Sequence, residues 1–164
     1  MESKQIKINP NFFKVDREKK KPQKTHSPEV RSVKSSDIKK KLIGKIKNYQ
    51  AKQQKNIMFK EGTERPFSSD LLNEKRKGFY HCANCGNKLF ASTSKFDSGT
   101  GWPSFSKALP NAFNTKIDYS FGMKRIEYHC AKCGVHHGHV FDDGPKASKK
   151  RFCNNGLCLI FKPE

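Results

Sequence analysis

The chain has 164 residues, enough for one domain and an extension, and its formal net charge is +19 at pH 7. Residues 1–60 hold 18 Lys/Arg and 5 Asp/Glu, whereas residues 61–164 hold 16 and 10, so most of the net charge lies in the N-terminal part. No segment approaches the roughly 18 apolar residues of a membrane span, and the N-terminus lacks the apolar core of a secretory signal. We therefore expect no membrane span and an intracellular, cytoplasmic protein, with organelle targeting left open.

The N-terminal third predicts an extension in front of a domain. Residues 1 to about 35 are rich in Lys, Ser, Pro, Asn and Gln and show no apolar period, which predicts disorder. After a capping Ser35 or Ser36, apolar residues recur at helical spacing among lysines at Ile38, Leu42, Ile46 and Tyr49. This pattern predicts a short basic amphipathic helix that suits an anionic partner (nucleic acid, an anionic membrane or an acidic protein) or serves only as a solubilising leader. We place the boundary between extension (1–57) and domain (58–164) near residue 58.

The C-terminal two thirds predict an all-β domain. A turn over residues 61–67 is expected, followed by a short helix or an ordered loop over residues 68–72. Beyond them, short segments rich in aromatic and β-branched residues are separated by Gly, Pro, Asn and Asp, at 78–81, 88–92, 120–129, 136–142 and 157–162. Such spacing is typical of short antiparallel strands.

Four of the six cysteines lie in two copies of a Cys-x-x-Cys-Gly turn, at Cys82, Cys85, Cys130 and Cys133. Two such turns supply the four thiolates of a tetrahedral zinc ion, and a complete thiolate shell leaves no open coordination position. The pattern therefore predicts structural Zn²⁺. Two redox dithiols or two disulfides are the alternatives, and a reducing compartment disfavours the disulfides.

The remaining thiols are Cys153 and Cys158. Cys153 follows Lys149, Lys150 and Arg151, and cationic neighbours favour the thiolate, so Cys153 is a candidate nucleophile. His136 and His139 follow the second Cys-x-x-Cys turn. From the residues alone these histidines could be metal ligands, acid/base groups or surface residues.

The motifs together resemble the B-type peptide methionine sulfoxide reductase family. The resemblance covers about residues 58–162 and rests on the two cysteine turns and on the segments Gly62–Phe67, Lys95–Phe105, Gly122–Arg125, His136–Phe141, Asp143–Pro145 and Arg151–Asn155. It implies two antiparallel sheets, a zinc site remote from the active site, and reduction of methionine-R-sulfoxide, free or in oxidised proteins. A separate reductase serves each sulfoxide epimer.

The resemblance also implies roles for single residues. Cys153 would attack the sulfoxide sulfur and become a sulfenic acid, while His136, His139 and Asn155 would hold the oxygen and deliver protons. Trp102 would pack on the substrate methyl group, and we count Arg151 among the substrate-binding residues. Thioredoxin, glutaredoxin or a small-molecule thiol would be the reductant.

One position departs from the family pattern. Many members carry a resolving cysteine where this chain has Thr100. Cys158 is then the candidate resolving residue, but on one continuous strand it would lie about 16 Å from Cys153 and on the opposite face. We therefore favour an external reductant and a buried structural Cys158. A zinc-ribbon module that binds nucleic acid and a catalytically inactive relative are the alternative functions.

Overall fold

The computed structural model describes residues 35–164, and the disorder predicted for the preceding segment lies outside them. A single α-helix, α1, runs over Ser35–Lys60. It is followed by nine strands, which are β1 Gly78–Cys82, β2 Lys88–Ala91, β3 Lys95–Phe96, β4 Ser104–Phe105, β5 Phe113–Asp118, β6 Arg125–Cys130, β7 His136–Phe141, β8 Arg151–Asn154 and β9 Leu159–Pro163. In the described part, no helix is long and apolar enough to cross a membrane.

The strands form two antiparallel sheets, which confirms the predicted fold class. One sheet has the order β2-β1-β9 and the other has the order β3-β4-β8-β7-β6-β5. Buried aromatic side chains fill the space between them; Phe90 and Phe105, for example, stack with ring centroids 4.0 Å apart. Because β8 and β9 belong to different sheets, the chain crosses from one sheet to the other between Asn154 and Leu159.

Helix α1 is longer than the predicted helix, and its C-terminal turns pack on the β domain. Ile57 and Met58 are buried in the core, and the Gln54 side chain donates a hydrogen bond to the Leu157 carbonyl at 2.8 Å. Burying each of these apolar side chains stabilises the docked helix by roughly 1.5–3 kcal/mol. Nearer the N-terminus of α1, Leu42 and Ile46 are exposed. The division of the chain near residue 58 stays a prediction.

A fully buried histidine makes the stability of this core depend on pH. His137 lies in an aromatic cluster with Phe113 and Tyr128, and burial lowers its pKa from 6.5 to about 3. The folded state therefore excludes the proton that the unfolded chain binds below pH 6.5, so stability is lost as the pH falls from 6.5 towards 3. By pH 5 this one group costs about 2 kcal/mol.

We expect His137→Leu to remove this acid sensitivity. Urea unfolding at pH 8 and at pH 5 should show that the free energy of unfolding of wild type falls by about 2 kcal/mol more than that of the variant. The pH 8 measurement is the internal control, because it isolates the packing difference between the two side chains. Equal losses in both proteins would show that His137 does not carry the effect.

Candidate active site and metal centre

The two Cys-x-x-Cys-Gly turns have the same backbone geometry. Gly86 N donates to the Cys82 carbonyl and Gly134 N to the Cys130 carbonyl, each at 2.8 Å. Both glycines have positive φ, 73° and 74°, which favours glycine at the end of each turn. The repeated sequence pattern therefore folds into two equivalent turns that each present a pair of thiols.

The two turns meet, so that the four predicted thiols form one cluster. Cys82 Sγ lies 3.7 Å from Cys133 Sγ, Cys85 Sγ lies 3.6 Å from Cys130 Sγ, and all four sulfur atoms fall within 4.8 Å of one another. A tetrahedral ion with metal–sulfur bonds of about 2.3 Å would separate its sulfur ligands by about 3.8 Å. The arrangement fits one metal ion and joins β1 to β6.

A second site lies on the six-stranded sheet, where β7, β8 and two loops enclose a pocket of about 130 Å³. Its walls contain the candidate nucleophile and several predicted site residues. The lining residues are Thr63, Trp102, Arg125, Gly138, His139, Phe141, Cys153, Asn154 and Asn155. The metal-site cysteines are not among them, so the two sites are separate.

Cys153 lies in the central part of this sheet. Its strand, β8, runs between β4 and β7, with Ser104 and His139 opposite Cys153 in the register. Gly138 of β7 allows this close approach, because a Cβ atom at position 138 would lie 2.0 Å from the Cys153 carbonyl oxygen. The thiol therefore lies at a position that both neighbouring strands fix.

The protonation state of Cys153 differs from the expectation. Burial raises the pKa of its thiol, although Arg151 and the Thr100 hydroxyl both act to lower it. Arg151 favours the thiolate, as the sequence predicted, but burial outweighs the cation and favours the neutral thiol in the free protein.

Arg151 lies beside Cys153 but outside the pocket wall. Its Nε and Nη2 donate to the two carboxylate oxygens of Asp143 at 2.7 and 2.8 Å, and its guanidinium covers the Phe141 ring at 4.4 Å. The side chain is mostly buried. Arg151 thus links Phe141, which lines the pocket, to the loop of Asp143, and its positive charge is paired with the Asp143 carboxylate.

His139 reaches the pocket and is held by a carboxylate that the sequence analysis missed. Its Nε2 lies 2.9 Å from Asp118 Oδ2, at the end of β5. Asp118 also accepts hydrogen bonds from Arg125 Nη2 at 2.7 Å and from Ser120, and these bonds keep the pKa of Asp118 low. The pairing of Asp118 with Arg125 across β5 and β6 orients the His139 ring.

His136 is not in the pocket wall. It is buried, and its Nδ1 bonds to Glu127 on the neighbouring strand. Its Nε2 lies 3.4 Å from Asn155 Nδ2, and its ring centroid lies 5.7 Å from that of His139. The two histidines are therefore neighbours, but only His139 lines the cavity.

The side chain of Asn155 joins three segments beneath the pocket. Its Oδ1 accepts a hydrogen bond from Glu64 N at 3.0 Å, and its Nδ2 donates to the His137 carbonyl at 3.1 Å. Glu64 in turn accepts hydrogen bonds from Gly156 N at 2.6 Å and Leu157 N at 2.9 Å. The buried Glu64 carboxylate received no role in the sequence analysis, yet it anchors the turn that follows Cys153.

Trp102 forms one wall of the pocket. Its indole Nε1 donates to the Glu64 carbonyl at 3.1 Å, which fixes the plane of the ring. The ring is partly buried, in agreement with a loop position at the rim of a cavity. The same loop brings the Thr100 hydroxyl within hydrogen-bond reach of Cys153.

Cys158 lies in the core rather than in the pocket. It ends a short 3-10 helix, Gly156–Cys158, and its side chain is fully buried. Burial raises the pKa of this thiol well above its usual range. The expected distance of about 16 Å between Cys153 and Cys158 assumed one continuous strand. The structure has a turn and a change of sheet between the two residues instead. Both thiols are free.

The chain matches the family model described as "SelR domain" over residues 50–163. It is 50% identical over 113 residues to "Peptide methionine sulfoxide reductase MsrB" of Methanosarcina barkeri, covering 68% of this chain and 80% of that protein. It is 43% identical over 111 residues to "Methionine-R-sulfoxide reductase B3, mitochondrial" of Mus musculus, covering 67% of this chain and 44% of that protein. Among solved structures, the "Yippee-like" domain of Mis18 is similar with a TM-score of 0.45 and 15% identity, covering 54% of this chain and 98% of that chain.

The family model and the named relatives identify this two-sheet β domain as an oxidoreductase. The chain belongs to the SelR domain family of peptide methionine sulfoxide reductases. This membership confirms the resemblance drawn from the motifs and decides for an enzyme over a nucleic-acid-binding module.

Proposed function

We propose that the protein reduces methionine-R-sulfoxide, free or within oxidised proteins, with Cys153 as the nucleophile. The observation that carries this proposal is the presence of Cys153, His139 and Trp102 in the walls of one small pocket. A thiol, a proton-transfer group and an aromatic surface are what the reduction of a methyl sulfoxide needs. The preference for the R epimer is supported by the name of the mouse relative.

The first step transfers the sulfoxide oxygen to Cys153. The Cys153 sulfur attacks the sulfoxide sulfur, the S–O bond of the substrate breaks as the oxygen passes to Cys153, and the cysteine is oxidised to a sulfenic acid while the sulfoxide is reduced to methionine. The thiol proton balances the step, since a thiol and a sulfoxide give a sulfenic acid and a thioether. The raised pKa of Cys153 means that the resting enzyme brings this proton itself.

His139 is the group that moves the proton. A sulfoxide oxygen leaves poorly unless it is protonated, and an imidazole can take a proton from a thiol and pass it on near neutral pH. Asp118 accepts the hydrogen bond from His139 and stabilises the imidazolium that forms during the transfer. Asn155 lines the pocket, and its hydrogen bond to the His137 carbonyl fixes its position. His136 acts one layer further from the substrate, through its contact with Asn155.

Trp102 recognises the apolar end of the substrate. Its ring offers a flat surface to the S-methyl group, and sulfur–aromatic contacts are favourable. Arg151 supports the site through Phe141 and Asp143 rather than by direct contact with the substrate.

An external thiol completes the cycle in this proposal. Thr100 occupies the position beside Cys153 from which a resolving cysteine could attack, and a hydroxyl cannot form a disulfide. Cys158 is buried and its thiol has a raised pKa, both of which disfavour attack on the sulfenic acid. Thioredoxin, glutaredoxin or a small-molecule thiol would therefore reduce the sulfenic acid, releasing water and an oxidised disulfide.

The four-cysteine cluster would hold a structural zinc ion. Two turns that each present two thiols at these separations leave no coordination position for a substrate, so the ion would link the two sheets and take no part in the reaction.

A single turnover without added reductant tests the proposal. The protein is mixed with peptides that carry either the R or the S sulfoxide, and methionine and remaining free thiols are counted by mass spectrometry. We expect product from the R epimer only, with Cys153 as the one thiol lost. Product from the S epimer, or product formed while Cys153 stays a free thiol, would contradict the proposal. Joint loss of Cys153 and Cys158 would overturn only the external-reductant step and identify Cys158 as the resolving residue.

A further inference from the structure

A second cavity lies between α1 and the segment that leads to the active site. It is a groove of about 330 Å³, with Tyr49, Lys52, Gln53 and Asn56 of α1 on one side and Thr63 and Arg65 on the other. Buried Ile57 forms its floor. The function proposed above does not use this groove.

The groove is adjacent to the active-site pocket, because Thr63 lines both. The pocket volume of about 130 Å³ equals roughly that of four water molecules, so it accommodates a methionine sulfoxide side chain but not the polypeptide that carries it. A protein substrate must therefore lie on the surface next to the pocket, and the groove is a neighbouring cavity on that surface.

The charged groups of the groove favour an acidic ligand. Among the described lining residues, Lys52, Glu64 and Arg65 carry charge. The Glu64 carboxylate is buried and turned towards the backbone N–H groups of Gly156 and Leu157, so it does not offset the two exposed cations. Lys52 and Arg65 flank the groove from opposite sides and would contact the same bound segment.

We propose that this groove binds the polypeptide on one side of the methionine sulfoxide and prefers segments with acidic residues. The inference rests on the proposed function, since it assigns a subsite to the same reaction. An extended chain advances about 3.3 Å per residue, so the residues next to the sulfoxide would enter the groove first. The substrate class is thus an unfolded or exposed acidic segment of an oxidised protein.

Steady-state kinetics on blocked peptides with methionine-R-sulfoxide at the centre test this proposal. Glutamate or lysine is placed on the N-terminal side, on the C-terminal side or on neither. When the substituted residue is on the side of the sulfoxide that enters the groove, we expect kcat/KM to be about fivefold higher with glutamate than with lysine, mainly through KM. On the opposite side of the sulfoxide we expect no such difference. The preference should fade at about 0.5 M salt, where charges are screened within roughly 4 Å.

Charge reversal locates the effect. Lys52→Glu and Arg65→Glu should each remove or invert the preference, whereas Lys55→Glu, which makes the same charge change on α1 outside the groove, should keep it. All variants should reduce N-acetylmethionine sulfoxide like wild type, because that substrate does not reach the groove. Reduction of every substrate without a charge preference, or equal effects of the three variants, would overturn the subsite alone; failure of wild type to reduce even N-acetylmethionine sulfoxide would instead overturn the proposed function.

Discussion

Replacing Cys153 with serine should lower kcat/KM for methionine-R-sulfoxide by at least about a thousandfold. The serine hydroxyl is nearly isosteric with the thiol, so β8 should keep its register with β4 and β7. It stays protonated and is a poor nucleophile, and it cannot form a sulfenic acid. The measurement is methionine formation with dithiothreitol as reductant, together with a circular dichroism spectrum that shows the fold is intact.

Cys158→Ser is the matched control, because it removes the other thiol outside the metal cluster. With dithiothreitol we expect activity within about threefold of wild type, since buried structural thiols are inert. An active Cys153→Ser variant would refute Cys153 as the nucleophile. If Cys158→Ser retained the single turnover but lost turnover with thioredoxin, the external-reductant step would be wrong and Cys158 would be the resolving residue.

Removing the metal, by chelation or by Cys85→Ser, should unfold the domain or lower its Tm by at least about 20 °C. Structural zinc sites contribute about 10–16 kcal/mol in isolated zinc-finger peptides, which exceeds the total stability of many domains. Here the ion would join β1 to β6, two strands of different sheets that are distant in sequence. Metal content by mass spectrometry and thermal unfolding with and without chelator provide the measurement.

Cys158→Ala separates loss of a metal ligand from loss of a buried sulfur atom. It should cost about 1–2 kcal/mol of stability and leave the metal content unchanged. A Cys85→Ser variant that melts like wild type, or a native protein whose mass shows two disulfides and no metal, would refute the structural zinc site. Because the cluster and the pocket share no residue, a refuted zinc site would leave the assignment of Cys153 as the nucleophile untouched.

Local patterns were enough to predict the class of fold and the separation of the cysteines into two groups. The alternation of aromatic and β-branched residues predicted β1, β2, β6, β7 and β9 within a few residues. It missed the two-residue strands β3 and β4, the strand β5, whose side chains are mostly exposed, and β8, which is too short and polar to show a period. Such strands form because neighbouring strands supply their hydrogen-bond partners. A local sequence pattern does not contain the identity of those partners.

The sequence by itself determined the metal turns, the candidate nucleophile and the family, since these depend on residue type and short spacing. Only the tertiary structure decided which histidine lines the pocket. Residues three apart on a regular strand lie on opposite faces, but a bulge between β6 and β7 brings the rings of His136 and His139 within 5.7 Å of each other, and only His139 lines the cavity. It also brought Asp118 to His139 and Glu64 beneath Trp102, pairs that are 21 and 38 residues apart. The pKa of Cys153 depends on the tertiary structure as well: basic neighbours are visible in the sequence, but the burial that outweighs them arises only when β7 and the loops of Thr63 and Trp102 pack around the thiol.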